Sequence, residues 1–86
     1  MKNLDKILKA FANKRRLAII KYLKNAKQAS VGDIAEEIHL SFRSTSKHLG
    51  ILFAADIVDK EQKGSYLLYR ISDQQNQPNR TIISLL

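Results

Sequence analysis

The chain has 86 residues, no cysteine and a formal net charge of +7. Its length allows one small domain, and the lack of cysteine excludes disulfides, thiolate metal sites and thiol redox sensing. The excess of basic residues indicates a polyanionic partner, either nucleic acid or an acidic membrane surface. No apolar run approaches the roughly 18 residues of a membrane span, and the N-terminus lacks a signal-peptide core. The sequence therefore predicts a complete intracellular protein.

The first thirty residues carry two amphipathic helices and most of the positive charge. Apolar residues recur at helical spacing, which predicts a helix over residues 3–12. These residues are Leu4, Ile7, Leu8 and Phe11. A second helix is predicted over residues 14–25, and its first turn is entirely basic, which is unfavourable for the helix dipole. That turn consists of Lys14, Arg15 and Arg16. The cluster suggests phosphate contacts, and the alternative is a solvated surface.

The segment from residue 33 to residue 52 predicts two short helices joined by a tight turn. Ser30 and Asp33 have the spacing of a capping box at the start of the first of these helices. Ser41 occupies an N-cap position for the second, which is predicted over residues 42–55. The outward face of this helix consists of Arg43, Ser46, Lys47 and Gly50, and no acid occurs between Leu40 and Ala55. A basic, polar face backed by aliphatic residues is typical of a recognition helix in a DNA major groove.

Beyond residue 56 the hydrophobic pattern alternates, as in strands. Two strands are predicted over residues 57–62 and 65–71, joined by a turn at Lys63 and Gly64. The tip of this hairpin suits a phosphate or minor-groove contact. Residues 73–86 form a polar linker and a short apolar tail, for which helix, strand and disorder all remain open. The predicted fold is mainly α with a small β-hairpin (α+β): a winged helix-turn-helix domain over residues 1–72, in the order α-α-α-α-β-β.

Three segments of the chain, residues 12–23, 40–49 and 57–71, resemble the ArsR-type winged-helix repressors of prokaryotes. The first is similar to the family's second helix, with its Arg-Leu pair and aliphatic run. The second is similar to its recognition helix, with serines and a His-Leu pair, and the third to its wing. Together they span about residues 4–72 in order, which makes the resemblance more specific than any one segment.

The resemblance implies a homodimer that binds double-stranded operator DNA. It also implies a dimer interface made by the first helix and the C-terminal segment. The corresponding residues here are Leu4, Ile7, Leu8, Phe11, Ile82, Ile83, Leu85 and Leu86. The family's metal sites use cysteines on the third helix, or histidines and carboxylates on the C-terminal helix. This chain has no cysteine, and residues 73–86 contain Asp73 but no histidine. No metal or other cofactor is therefore expected, and the effector remains open.

The predicted DNA contacts lie on the recognition helix and the wing. They are Ser41, Phe42, Arg43, Ser44, Ser46, Lys47 and His48 on the helix and Lys60, Lys63, Gly64 and Ser65 in the wing. Phe42 could touch a thymine methyl group or fold onto the domain. Gly50 could allow close approach to the DNA backbone or tight helix packing. His48 could be a packed, hydrogen-bonded histidine or a phosphate contact.

The expected function is a sequence-specific DNA-binding transcriptional regulator, a dimeric repressor in the cytoplasm that associates with the nucleoid. No glycine-rich phosphate loop and no nucleophile in a recognisable setting occurs, so an enzyme is not expected. Two alternatives remain. One is an architectural protein that coats DNA without sequence preference, which the net charge also permits. The other is a winged-helix module that binds another protein.

Overall fold

Five helices and three strands make up the computed structural model, which describes residues 3–86. The first two residues of the predicted domain lie outside this range. The helices and strands follow the order α1 (Leu4–Phe11), α2 (Lys14–Ala26), β1 (Ala29–Ser30), α3 (Val31–Ile38), α4 (Phe42–Ala54), β2 (Val58–Lys63), β3 (Tyr66–Ile71) and α5 (Asn79–Ser84). The predicted α+β winged helix-turn-helix class is confirmed, with β1 and α5 as additions.

Side-chain caps determine where the first four helices begin. Asn3 and Asn13 cap α1 and α2, and Ser30 caps α3 by accepting from the backbone N–H of Asp33 at 3.2 Å. The Ser41 hydroxyl oxygen accepts from the Ser44 backbone N–H at 3.1 Å at the start of α4. Each cap satisfies backbone donors that have no partner within the helix. Both serine caps expected from the sequence are confirmed.

The core lies where α2, α3 and α4 pack together against the base of the sheet. Its largest fully buried apolar members come from α2, α3, α4 and residues 57 and 58 at the start of the wing. They are Ile19, Ile20, Leu23, Ile34, Leu49, Leu52, Ile57 and Val58. The turn between α3 and α4 passes through His39 at φ 55°, a left-handed conformation that histidine tolerates better than most residues. This turn sets the angle between the two helices of the helix-turn-helix.

The sheet has three strands, whereas the sequence predicted a two-stranded hairpin. β1 pairs antiparallel with β3, and the strand order is β1-β3-β2. A strand of two residues shows no alternation, so the pattern could not reveal it. The hairpin turn is also one residue later than predicted, because Lys63 pairs with Tyr66. Gly64 has φ 62° in this turn, where a side chain would be strained.

The C-terminal segment forms a short helix that packs on the domain. Ile83 of α5 is 9% exposed and belongs to the core, and the Lys24 ammonium donates to the Ile83 carbonyl at 3.0 Å. The segment before α5 is held by Gln75, whose amide donates to the Ile57 carbonyl at 2.9 Å. The region predicted as linker and tail therefore contributes to the same core as residues 4–72. Among residues 3–86, no helix is long and apolar enough to cross a membrane.

Replacing Ile83 by alanine tests the packing of α5. We expect Ile83→Ala to lower the free energy of unfolding by about 2 kcal/mol, because a buried Ile→Ala change loses transfer energy and leaves a cavity. Urea unfolding at one fixed protein concentration measures the change. The control is Arg80→Ala on the same helix, where the side chain is exposed. Equal stability of the two variants would contradict packing of α5 on the core.

Candidate nucleic-acid interface

The two faces of α4 differ sharply in burial and chemistry. Thr45, Leu49 and Leu52 are 0% exposed and face the core. The opposite face consists of Arg43, Ser46, Lys47 and Gly50, all of them exposed. Neither cation of this face forms an ion pair within the part of the chain that the structure describes. The outward face predicted from the sequence is therefore exposed, and it carries two cations and a hydroxyl group.

The structure bears on the alternative interpretations of Phe42 and Gly50, two residues of α4. Phe42, the first residue of the helix, is 63% exposed, so it is not folded onto the domain. A Cβ atom built on Gly50 would meet nothing within 4 Å. Tight packing within the chain therefore does not explain this glycine. Both residues lie on a surface that is open to a partner.

Arg16 connects three helices instead of projecting freely from the surface. Its Nε donates to the Ala10 carbonyl at 2.7 Å and its Nη2 to the Lys9 carbonyl at 3.0 Å, both at the end of α1. Its Nη1 lies 3.1 Å from Nδ1 of His48 on α4. Lys14 and Arg15, the other two members of the basic cluster, are exposed. These bonds assign Arg16 a structural role that the sequence gave no means to predict.

The surroundings of His48 favour its neutral form. Partial burial lowers the pKa of His48 below its ordinary value of 6.5, and the nearby charges of Arg16, Arg15 and Lys47 lower it further. A guanidinium can only donate, and a neutral ring can accept at Nδ1, which fits the 3.1 Å between Nη1 of Arg16 and Nδ1 of His48. The packed, hydrogen-bonded histidine considered from the sequence matches this geometry. Nε2 is then the ring nitrogen left for any contact with DNA.

The predicted wing residues fall into two groups. Lys63, Gly64 and Ser65 lie at the exposed tip, where the Gln62 amide donates to the Gly64 carbonyl at 2.9 Å. Lys60 is instead paired with Tyr69 within the sheet, away from the tip.

The ammonium of Lys60 lies 4.4 Å from the centre of the Phe53 ring. At this distance a cation is attracted by the face of an aromatic ring. The contact joins the wing to the C-terminal end of α4. The sequence does not indicate this role of Phe53, since no local pattern pairs it with a residue on a later strand.

The predicted dimer residues also divide into two groups. Ile7, Phe11 and Ile83 are buried in the core of the single chain. The exposed members are Leu4 at 47%, Leu8 at 45% and Leu85 at 78%, with Ile82 and Leu86 half-buried. One edge of the apolar stripe of α1, Ile7 and Phe11, thus packs in the core, and the other edge, Leu4 and Leu8, is left uncovered.

No group of three or more histidine and carboxylate side chains among residues 3–86 is arranged to hold a metal ion. The exposed side chains of α4 and the wing include cations, hydroxyl groups and the aromatic rings of Phe42, Phe53 and Tyr66. The helix carries no acid, and the wing carries Glu61. This arrangement can donate hydrogen bonds to base edges and phosphate oxygens.

The fold and this surface are those of a winged helix-turn-helix DNA-binding protein. The family model described as "Bacterial regulatory protein, arsR family" matches residues 13–60, and the chain belongs to that family. The transcriptional repressor SdpR of Bacillus subtilis is 32% identical over 69 residues, which cover 80% of this chain and 76% of that protein. The repressor SmtB of Mycobacterium tuberculosis is 36% identical over 67 residues, 78% of this chain and 49% of the repressor. The chain thus spans about half the length of SmtB.

Solved structures of related proteins agree with this assignment. HlyU from Vibrio cholerae is 28% identical with a TM-score of 0.80, covering 99% of this chain and 92% of that one. The homodimeric winged helix-turn-helix DNA-binding domain from Mycobacterium bovis is 26% identical with a TM-score of 0.79. The match covers 95% of this chain and 72% of that one. The chain is therefore a DNA-binding transcriptional regulator and not an enzyme.

The lowered pKa of His48 predicts a pH dependence of stability. In the unfolded chain the pKa returns to about 6.5, so the unfolded state binds more protons between the two values. The contribution of His48 to the free energy of unfolding is complete above about pH 6.5 and falls as the pH drops through the lowered pKa. Urea unfolding at about pH 7.5 and pH 5 should show a larger loss for the wild type than for His48→Gln. Equal losses would show that His48 is not the group responsible.

The open space around Gly50 predicts a stabilising substitution. Gly50→Ala should raise the free energy of unfolding by about 0.5–1 kcal/mol, because glycine in a helix interior loses more conformational entropy on folding. Gly64→Ala is the matched control, since φ 62° strains any side chain there and should lower stability. Thermal unfolding of the wild type and of both variants measures the two changes in stability. A destabilised Gly50→Ala would mean that the helix needs glycine for its own packing.

Proposed function

We propose that this regulator is a dimeric repressor whose α4 enters the major groove of operator DNA while the wing contacts the adjacent backbone. The observation that carries the proposal is the acid-free outer face of α4. Arg43 and Lys47 are exposed there and form no ion pair with the described residues. Their charge is therefore available to the DNA without first breaking an interaction within the protein.

The side chains of α4 divide between base and phosphate contacts. Arg43 lies in the first turn, where recognition helices contact base edges, and a guanidinium can donate two bonds to guanine O6 and N7. Ser46 lies one turn further on the same face and can donate to a base. Lys47 and the helix start at Ser41 and Ser44 contribute phosphate contacts, which position the protein. His48 can add one through Nε2.

The wing and α2 extend the phosphate contacts on either side of α4. Lys63, Gly64 and Ser65 are exposed at the hairpin tip, which suits a backbone or minor-groove contact. Lys60 supports this position through its contact with Phe53. On α2, Lys14 and Arg15 are exposed and can meet phosphate, whereas the guanidinium of Arg16 is already occupied by the carbonyls of α1.

Two copies would associate through the uncovered edge of α1 and the C-terminal residues. Leu4, Leu8 and Leu85 are apolar and exposed, and burying them would remove apolar surface from water. The M. bovis domain of similar fold is homodimeric. A two-fold dimer would place its recognition helices in successive major grooves, with half-sites about 34 Å apart.

Repression would follow from occupancy of the operator, since bound protein excludes the transcription machinery. Two relatives, SdpR and SmtB, are repressors by name. The place of action would be the cytoplasm, at the nucleoid. Affinity should fall steeply with salt, because lysine and arginine contacts release counterions from the DNA.

Fluorescence anisotropy with labelled DNA from upstream of the protein's own gene tests the proposal. A scrambled duplex of equal length is measured beside it at about 150 mM salt. We expect at least about a hundredfold preference for the upstream DNA, a threshold set below the roughly thousandfold or greater specificity that is typical of regulators. Arg43→Ala should weaken specific binding at least tenfold, since a bidentate contact typically supplies about 1–3 kcal/mol of discrimination.

The control variant is Arg80→Ala, which removes the same charge from an exposed site on α5. It should keep the preference for the upstream DNA. Equal binding of the wild type to both duplexes would identify a DNA-coating protein instead of a regulator that reads sequence. A similar loss of affinity in Arg43→Ala and Arg80→Ala would mean that net charge, and not the face of α4, determines binding.

A further inference from the structure

Phe42 is the one large apolar side chain at the DNA-reading end of α4. It is the first residue of the helix and is 63% exposed. Its neighbours on the exposed surface, Arg43 and Ser46, are polar. The Ser41 cap fixes the start of the helix, so the Phe42 side chain is held in the first turn. Most of the Phe42 side chain is therefore left in contact with water, and Phe42 is not part of the hydrophobic core.

Four of the other exposed apolar residues already have an explanation, whereas Ile51, Tyr66 and Leu67 are exposed without one. Phe53 lies under the Lys60 ammonium. Leu4, Leu8 and Leu85 belong to the proposed dimer surface. Phe42 lies on neither surface, and it adjoins the residues proposed to touch bases. DNA is therefore the partner that its position favours.

The chemistry of the major groove limits what a phenyl ring can read there. Adenine, guanine and cytosine present hydrogen-bonding groups at that edge, whereas thymine adds a methyl group at C5. A phenyl ring has no donor or acceptor for the polar groups, and placing it over them would bury them without partners. Contact with the methyl group removes two apolar surfaces from water together. The favourable target is thus a thymine.

We propose that Phe42 determines part of the operator sequence by packing on the C5 methyl group of a thymine in each half-site, next to the base that Arg43 reads. This inference rests on the proposed function. Burying one methyl group corresponds to about a fourfold gain in affinity per half-site, and to about fifteenfold for the two half-sites of a symmetric operator. The effect is large enough to measure and small enough to leave binding intact when it is lost.

Replacing thymine by deoxyuridine tests the inference, because it removes the methyl group and leaves every hydrogen-bonding group in place. Operator duplexes identified by the anisotropy measurement are synthesised in a series. In each duplex, one symmetric pair of thymines, one in each half-site, is replaced by deoxyuridine. We expect one pair whose replacement weakens wild-type binding by about fifteenfold. Phe42→Ala should bind the thymine and deoxyuridine duplexes equally, with an affinity near that of the wild type for the deoxyuridine duplex.

The matched control is Phe53→Ala, which removes the same side chain from the same helix. It should keep the wild-type ratio between thymine and deoxyuridine duplexes, whatever happens to its absolute affinity. Circular dichroism of each variant checks that it folds.

Three results would overturn the inference. They are a wild type insensitive to deoxyuridine at every position, a Phe42→Ala variant that keeps the sensitivity, and half-sites without thymine. Absence of any preference for operator over scrambled DNA by the wild type is a different result. It would overturn the proposed function itself, and the inference with it.

Discussion

The proposed DNA-facing surface depends on the burial of the opposite face of α4. Leu49 and Leu52 lie one turn apart and are fully buried in the core. Burying a leucine side chain contributes about 1.5–3 kcal/mol, far more than any single polar contact on the exposed surface. Because residues three or four apart share a helix face, fixing this pair directs Arg43 and Lys47 outward. Core packing therefore orients the proposed reading surface without bonds among its own polar side chains.

Arg16 adds a polar connection to this apolar packing. One guanidinium holds the last carbonyls of α1 and also contacts His48 on α4. α1 carries Leu4 and Leu8, which are proposed to contact a second copy, whereas α4 is proposed to read DNA. The same side chain thus ties the helix that would set the symmetry axis to the helix that would enter the groove. Spacing between half-sites depends on this geometry, since a dimer fits only operators that match the separation of its recognition helices.

The features that the sequence revealed are those that depend on neighbouring residues. The Ser41 cap and the faces of α4 follow from spacings of three and four residues, and both were predicted. β1 was not, because its two residues become a strand only by pairing with β3. The stripe of α1 could not be divided into core and open edge before the helices were placed. The bonds of Arg16 leave no trace in the sequence, since their acceptors are mainly backbone carbonyls, which every residue has.

The helices also differ in whether an acidic residue in the first turn compensates the positive N-terminal end of the helix dipole. α1 and α3 carry Asp5 and Asp33 in their first turns, whereas α2 and α4 carry no acid there. A missing acid forgoes about 0.3–1 kcal/mol of helix stability. α5 also lacks an acid in its first turn. Among the four helices with a side-chain cap, the two without an acid are those whose first turns are proposed to contact DNA. An aspartate in either turn would repel phosphate, while a bare N-terminus attracts it. The composition that weakens these helices in the free protein therefore strengthens their contact with a polyanion.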